Sequence, residues 1–70
     1  MIRYYKLFDV LQRRGLKKTD LIDLAGLTSP VVAKFSKGAN INTDTINRIC
    51  AALNVQPGDI MEFIPDEKTE

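Results

Sequence analysis

Residues 17–38, KKTDLIDLAGLTSPVVAKFSKG, decide the fold that this sequence predicts. Apolar residues before the first glycine of this stretch have helical spacing, since Leu21, Leu24 and Ala25 fall at positions i, i+3 and i+4. We therefore expect a short helix with these three side chains on its buried face. Gly26 follows directly and supplies a residue at which the chain can reverse direction.

A second short helix is expected over residues 29–37. Thr28 is a favourable N-cap residue, and Pro30 falls in the first turn, where its missing N–H costs no hydrogen bond. Gly38 is typical of the residue that follows a helix C-terminus. The expected buried face of this helix contains Val31, Val32 and Phe35.

Two short helices, over residues 18–25 and 29–37, joined by a glycine turn predict a helix–turn–helix unit. Leu27 follows the glycine and can fill the space between the two helices. The second helix of such a unit is free to enter a DNA major groove.

The rest of the chain predicts three more helices around this unit. A first helix is expected over residues 5–14, ended by Gly15, and a fourth from Asn42 or Thr43 as N-cap to Leu53. A fifth short helix is expected at Pro57–Met61. Apolar residues at helical spacing mark the buried stripes of helices 1 and 4, namely Leu7, Val10 and Leu11 with Phe8 beside them, and Ile46, Ile49, Cys50 and Leu53.

Both ends of the chain contain β-prone residues, at 2–4 and 62–64. Each segment is too short to be stable alone. We favour pairing of the two within one chain, which would tie the termini together across the helical body; pairing across two chains is the alternative. Residues 66–70 are polar, and we expect them to be frayed.

Length and composition narrow the class of protein. The chain has 70 residues, of which 44% are hydrophobic and 27% charged, as expected for one folded domain with a small core. No run of about 18 apolar residues is present, so we expect no membrane span. Charged residues interrupt the apolar ones at the start of the chain, so we expect no signal peptide and a cytoplasmic location.

The residue inventory argues against catalysis and metal binding. One cysteine and no histidine exclude a disulfide framework within the chain and leave no obvious zinc site. Cys50 also lacks the histidine that a catalytic thiol needs, and we expect it to be a small core residue. Since no glycine-rich phosphate loop is present either, we expect no enzyme activity, no metal and no cofactor.

Charge is distributed unevenly along the chain, although the net charge is only +1. Residues 1–58 contain nine basic and four acidic residues, whereas residues 59–70 contain one basic and five acidic residues. A basic body suits a polyanionic partner. Charge alone favours a merely solvated surface over a polyanion-binding one, by about two to one. The assignment therefore depends on where the basic residues lie.

Several short pieces resemble Cro/CI-type (XRE-like) helix–turn–helix regulators, and most closely a compact single-domain subgroup from bacteria and phages. These pieces are Tyr4–Leu7, KTDL at 18–21, AGL at 25–27, SKGANINTDT at 36–45 and GDIMEFIP at 58–65. The resemblance covers nearly the whole chain. It implies an all-α, five-helix, λ-repressor-like domain over residues 1–70 that binds operator DNA, usually as a dimer or on a palindrome.

The candidate DNA-binding residues lie on the second helix of the unit and on both sides of it. Helical geometry points Ala33, Lys34 and Lys37 away from the buried face, and the small Ala33 lets the helix approach base edges. The two lysines can reach guanine or phosphate. The full set of candidates is Lys17, Lys18, Thr19, Thr28, Ser29, Pro30, Val31, Ala33, Lys34, Lys37, Asn40, Asn42 and Thr43.

Structural roles compete for some of these residues. Asn42 and Thr43 are as suitable for capping helix 4 as for holding phosphate. Arg13 and Arg14 are more typical of helix-dipole partners than of DNA contacts, and are therefore left out of the set. In the regulators that the chain resembles, polar residues often read bases at the positions of Pro30 and Val31, so the front of this helix is poor in donors. Val31 can instead make an apolar contact with a thymine methyl group.

Two functional hypotheses remain. The first is a sequence-specific DNA-binding transcriptional regulator, most simply a repressor, whose partners are double-stranded DNA and a second copy of the chain that associates in solution or only on DNA. The second is a protein-interaction module, such as an antirepressor or immunity partner, that uses this fold without DNA. The sequence indicates no small-molecule effector.

Overall fold

The computed structural model describes residues 1–65. Within them no helix has the length and apolar character needed to cross a membrane. The elements in chain order are β1 (Ile2–Arg3), α1 (Tyr5–Arg13), α2 (Asp20–Leu24), α3 (Ser29–Lys37), α4 (Thr43–Leu53), a 3₁₀ turn (Pro57–Asp59) and β2 (Glu62–Phe63). The expected frayed segment, residues 66–70, lies outside the described residues.

The two ends of the described chain form an antiparallel ribbon. Ile2 pairs with Phe63, and Arg3 pairs with Glu62. The Ile64 N–H extends the ladder by donating to the Met1 carbonyl at 2.9 Å. The predicted pairing within one chain is therefore confirmed, and it positions β1 beside the helices.

The core joins all four helices with Tyr4, which follows β1, and Ile60, which follows the 3₁₀ turn. Phe35 is only 2% exposed, and the ring of Tyr4 packs against it edge-on, with the ring centroids 4.8 Å apart and the planes at 84°. Tyr4 therefore belongs to the core. The buried apolar residues are Tyr4, Leu7, Leu11, Leu21, Ala25, Leu27, Val32, Phe35, Ile46, Ile49, Leu53 and Ile60.

The prediction for the buried face of α2 is wrong at Leu24, which is 48% exposed. Successive residues of an α-helix are rotated by about 100°, so Leu21, Ile22 and Ala25 share one side while Leu24 lies beyond its edge. Ile22 is half-buried on the side that faces the core. A helix of five residues carries too few positions for spacing alone to determine which side is buried.

The helix α2 begins two residues later than the sequence predicts, at residue 20 instead of residue 18. The Lys17 N–H donates to the Asp20 carboxylate at 2.7 Å, and the Asp20 N–H donates to the Lys17 carbonyl at 3.0 Å. These bonds hold residues 17–20 as a tight turn, and the α-helix begins only at Asp20.

The five-helix count is not confirmed, because the described residues contain four α-helices. In place of the predicted helix Pro57–Met61 there is a 3₁₀ turn at Pro57–Asp59. The Asp59 carboxylate caps it by accepting from the Gln56 N–H at 2.9 Å. Ile60 then enters the core with no exposed surface, and the chain continues as an extended segment into β2.

Three residues predicted to be buried are only half-buried, namely Val10, Val31 and Cys50. Each lies on the margin of its helix's core face, where neighbouring elements cover one side of the side chain. The pKa of the Cys50 thiol is raised by this burial and by the nearby Asp59 carboxylate, so the thiol is protonated at neutral pH.

Candidate nucleic-acid interface

The second helix of the helix–turn–helix unit has the bounds that the sequence predicts, Ser29–Lys37. Gly26 enables the turn before it by adopting φ +66°, which a residue with a Cβ adopts only with strain. Thr28 occupies the predicted N-cap position with extended backbone, but its hydroxyl accepts no capping hydrogen bond. Pro30 lies in the first turn, as predicted.

The outer face of α3 consists of Pro30, Ala33, Lys34 and Lys37, all of them exposed. Val32 and Phe35 occupy the opposite side and are buried. Within residues 1–65, the ammonium groups of the two lysines have no salt bridge and no side-chain hydrogen bond. The outer face of α3 is therefore open, positively charged and unused by the fold.

A further cation lies at the C-terminal end of α3. Gly38 ends this helix with φ +68°, and the guanidinium of Arg3 lies so close that a Cβ at this position would collide with it. The ribbon brings Arg3 there, because β1 runs beside the end of α3. Sequence reasoning missed this residue, since no local signal links position 3 to position 38.

The residues that precede α2 approach the other side of α3. The Lys18 ammonium donates to the Ser36 hydroxyl at 3.0 Å and lies 4.6 Å from the centroid of the Phe8 ring. An ammonium has three donors, so two remain after the bond to Ser36. Lys17 and Thr19 are exposed beside it.

The segment after α3 contains the remaining candidates, Asn40, Asn42 and Thr43, all exposed. The Asn42 carboxamide oxygen accepts from the Thr45 N–H at 2.9 Å, so Asn42 is the N-cap of α4. Of the two roles that the sequence allows for Asn42, capping and phosphate binding, its side-chain oxygen takes the first. The amide group of Asn42 and the backbone N–H groups of the first turn of α4 remain as donors.

The other basic residues of the described chain have partners within the fold, and Arg48 also donates to the Gly26 carbonyl, in the turn before α3, at 3.4 Å. Arg14 Nη1 donates to the Leu53 carbonyl at 2.6 Å, so the guanidinium caps the C-terminus of α4 rather than its own helix. Three ion pairs occupy the others: Arg13 with Asp9 at 3.0 Å, Arg48 with Asp44 at 3.1 Å, and Lys6 with Glu62 at 3.9 Å. The basic residues therefore divide into a structural set and a set around α3.

The described residues contain no cluster of three or more cysteine, aspartate or glutamate side chains that could hold a metal ion. The positive charge around α3 forms no salt bridge within residues 1–65. It consists of Arg3, Lys17, Lys18, Lys34 and Lys37, and we call it the α3 basic surface.

This fold and this surface define a class of protein: a small helix–turn–helix domain whose second helix is basic and exposed. The chain belongs to the Cro/C1-type HTH DNA-binding domain family, whose model matches residues 6–66. The resemblance seen in the sequence is thus confirmed. DNA binding and transcription regulation follow from the family, with double-stranded DNA as the partner.

Two similar proteins are regulators by name. The uncharacterized HTH-type transcriptional regulator YozG of Bacillus subtilis (strain 168) is 37% identical over 62 residues, which cover 86% of this chain and 74% of that protein. The crystal structure of the transcriptional regulator VanUg, Form II, superposes with a TM-score of 0.87 at 34% identity. That alignment covers 93% of this chain and 87% of the other.

Proposed function

We propose that this chain is a cytoplasmic transcriptional repressor without enzyme activity, which binds operator DNA with α3 in the major groove. The observation that supports this proposal is the exposed outer face of α3, with its two lysines free of partners among residues 1–65. A domain bound across a promoter represses by excluding polymerase and needs no further contact to do so.

The groups on both sides of α3 hold the DNA backbone in this proposal. On one side are Lys17, Lys18 and Thr19, and on the other are Asn40, Asn42 and Thr43 together with the first N–H groups of α4. Phosphate contacts of this kind fix the register of a helix in the groove without reading sequence. The positive end of the α4 dipole adds to the attraction for phosphate.

Base reading in this proposal combines apolar contact with lysine hydrogen bonds. The first half of α3 presents Pro30, Val31 and Ala33, which carry no side-chain donor, and the hydroxyl groups of Thr28 and Ser29 stand beside them. Thymine methyl groups are the major-groove features that such residues contact. Lys34 and Lys37 reach guanine or phosphate further along the helix.

One copy of α3 contacts only a few base pairs, so we propose that two copies bind a palindromic operator. The half-sites would be about 34 Å apart, one turn of B-DNA. The two copies meet either in solution or only on DNA.

Binding to promoter fragments at 50 and 200 mM salt tests the proposal, with the operator first isolated by selection from random duplexes. About four to six phosphate contacts per protomer predict affinity that falls steeply with salt, with a slope near −0.9 per contact in a log–log plot. Failure to select any duplex, or binding that is independent of salt, would contradict DNA binding through the α3 basic surface.

The alternative, a protein-interaction module that uses α3, predicts an apolar patch on this helix with Val31 at its centre. Val31 is half-buried, and two unpaired lysines lie on the adjoining outer face. Since a protein interface with this composition would bury charge without a visible partner, the observations favour DNA.

A further inference from the structure

A cleft lies between the terminal ribbon and the loop that joins α3 to α4. Its volume is about 340 Å³, at the lower end of the range of about 300–1,000 Å³ that is usual for small-molecule sites. Ile2 and Tyr4 form one wall, and the loop forms the other with Asn40 and Ile41. No local pattern in the sequence indicates this cleft, because its walls are about 36 residues apart in the chain.

Tyr4 supplies an unused polar group to this cleft. The residue is only 5% exposed, and its hydroxyl makes no hydrogen bond within residues 1–65. No side-chain oxygen that is sealed from solvent lacks a partner in this part of the chain. The Tyr4 hydroxyl therefore keeps contact with solvent, and Tyr4 is one of the residues that line the cleft.

The chemistry of the cleft selects a class of ligand. Both methionines of the chain, Met1 and Met61, line it together with Ile41 and Ile46. Thioether and aliphatic groups pack well against an aromatic ring. No charged side chain lines the cleft, and the N-terminal ammonium of Met1 already donates to the Ile64 carbonyl. The lining therefore offers an ionic ligand no charged side chain as a partner, which favours an uncharged ligand. Burial raises the pKa of Tyr4, so its hydroxyl remains protonated and can donate as well as accept.

The position of the cleft connects it with the α3 basic surface. The Tyr4 ring packs edge-on against Phe35, the main core residue of α3. The opposite wall contains Asn40 and Thr43, which we assign to the phosphate-binding side of the interface. A molecule in the cleft would therefore contact both Tyr4, which packs against α3, and the loop that follows α3.

We propose that the cleft is an effector site for a small, uncharged aromatic molecule whose polar group hydrogen-bonds to the Tyr4 hydroxyl. Its occupancy changes DNA affinity by shifting the loop between α3 and α4. The effect on DNA affinity rests on the proposed function, whereas binding of the ligand in the cleft does not.

Binding of phenol and of toluene to the ¹⁵N-labelled protein, followed by NMR without DNA, tests the site itself. We expect saturable shifts at residues 38–43, with phenol bound about 2- to 10-fold more tightly than toluene, the gain of one hydrogen bond. Tyr4→Phe keeps the ring packed on Phe35 and removes only the hydroxyl, so it should abolish this preference. Tyr5→Phe is the matched control, because Tyr5 is 57% exposed and lies outside the cleft.

Several results would overturn the effector site. Equal affinity for phenol and toluene would do so, and so would a preference that survives Tyr4→Phe. Shifts centred on a separate pocket, which is lined by Phe8, Leu16 and Lys18 among others, would also do so. Tighter binding of benzoate than of phenol would overturn the uncharged class. If phenol binds as expected and the selected operator is bound with unchanged affinity at saturating phenol, the regulatory statement is wrong. Failure to bind DNA at all would instead refute the proposed function.

Discussion

The inner and outer faces of α3 differ in burial and in what they contact. On the inner face, Phe35 and Val32 are 2% and 7% exposed, and the Tyr4 ring packs edge-on against Phe35. On the outer face, Ala33, Lys34 and Lys37 are exposed, and the lysine side chains make no bond within residues 1–65. The inner face therefore determines stability, and the outer face is available for a partner at no cost to the fold.

This comparison predicts that substitutions on the two faces affect two different quantities, the free energy of unfolding and the affinity for DNA. Changes on the inner face should lower the free energy of unfolding, and changes on the outer face should lower DNA affinity alone. The first four expected effects below run from the largest to the smallest.

Phe35→Ala should produce the largest loss, because it leaves a cavity between Tyr4 and the other helices. We expect the free energy of unfolding to fall by about 3–5 kcal/mol, which is comparable with the total stability of a domain this small. Urea denaturation followed by circular dichroism measures it. The matched control is Phe63→Ala, since Phe63 is 68% exposed and should change stability by less than about 0.5 kcal/mol. Equal losses would show that the inner face is misassigned.

Arg14→Ala should lower stability without a specific effect on DNA affinity. The guanidinium caps the C-terminus of α4 through the Leu53 carbonyl, and a hydrogen bond from a charged donor contributes about 1.5–3 kcal/mol. Arg13→Ala is the control, because its exposed ion pair with Asp9 is worth only about 0.3–0.5 kcal/mol. Thermal unfolding of both variants distinguishes them. If both lose the same stability, the cap on α4 contributes nothing.

Lys34→Ala should leave the free energy of unfolding unchanged and weaken binding to the selected operator by about 1–3 kcal/mol if Lys34 reads a base. Fluorescence anisotropy with the operator and with an unrelated duplex measures affinity and specificity. Lys6→Ala removes the same charge from α1 and should cost much less affinity. Unchanged operator affinity in Lys34→Ala would mean that the outer face of α3 does not read DNA.

Replacing thymine by uracil in the operator removes single methyl groups and tests the apolar half of α3. Burial of one such group is worth about 0.8 kcal/mol, or roughly fourfold in affinity. The loss should occur only at the one or two positions that face Val31 and Ala33, and it should be absent in non-specific DNA. If no such replacement changes the affinity for the operator, α3 does not read thymine methyl groups. That result would not bear on the lysine contacts.

The parts of this fold that local signals control were predictable from the sequence. Pro30 in the first turn and Gly38 after the last turn mark the bounds of α3, and Asn42 caps the start of α4. Asn54 follows the last turn of α4 in the left-handed conformation. Each signal acts within about four residues, so spacing along the chain is sufficient to recognise it.

Features that depend on distant residues were not predictable. Arg14 caps a carbonyl 39 residues away, and Arg3 reaches the end of α3 only because the ribbon forms. Leu24 and the missing fifth helix are the two errors of local reasoning. In both, a segment of five residues or fewer was too short for periodicity to outweigh tertiary packing.

The same substitution on two helices tests most directly whether the outer face of α3 lies against the duplex. Ala33→Glu and Ala51→Glu each add one negative charge at an exposed alanine, the second on the outer side of α4. We predict that Ala33→Glu weakens operator binding by about 100-fold, because a carboxylate would face the DNA, while Ala51→Glu causes at most a small loss. Equal losses in the two variants, with both proteins folded, would contradict the placement of α3 in the groove.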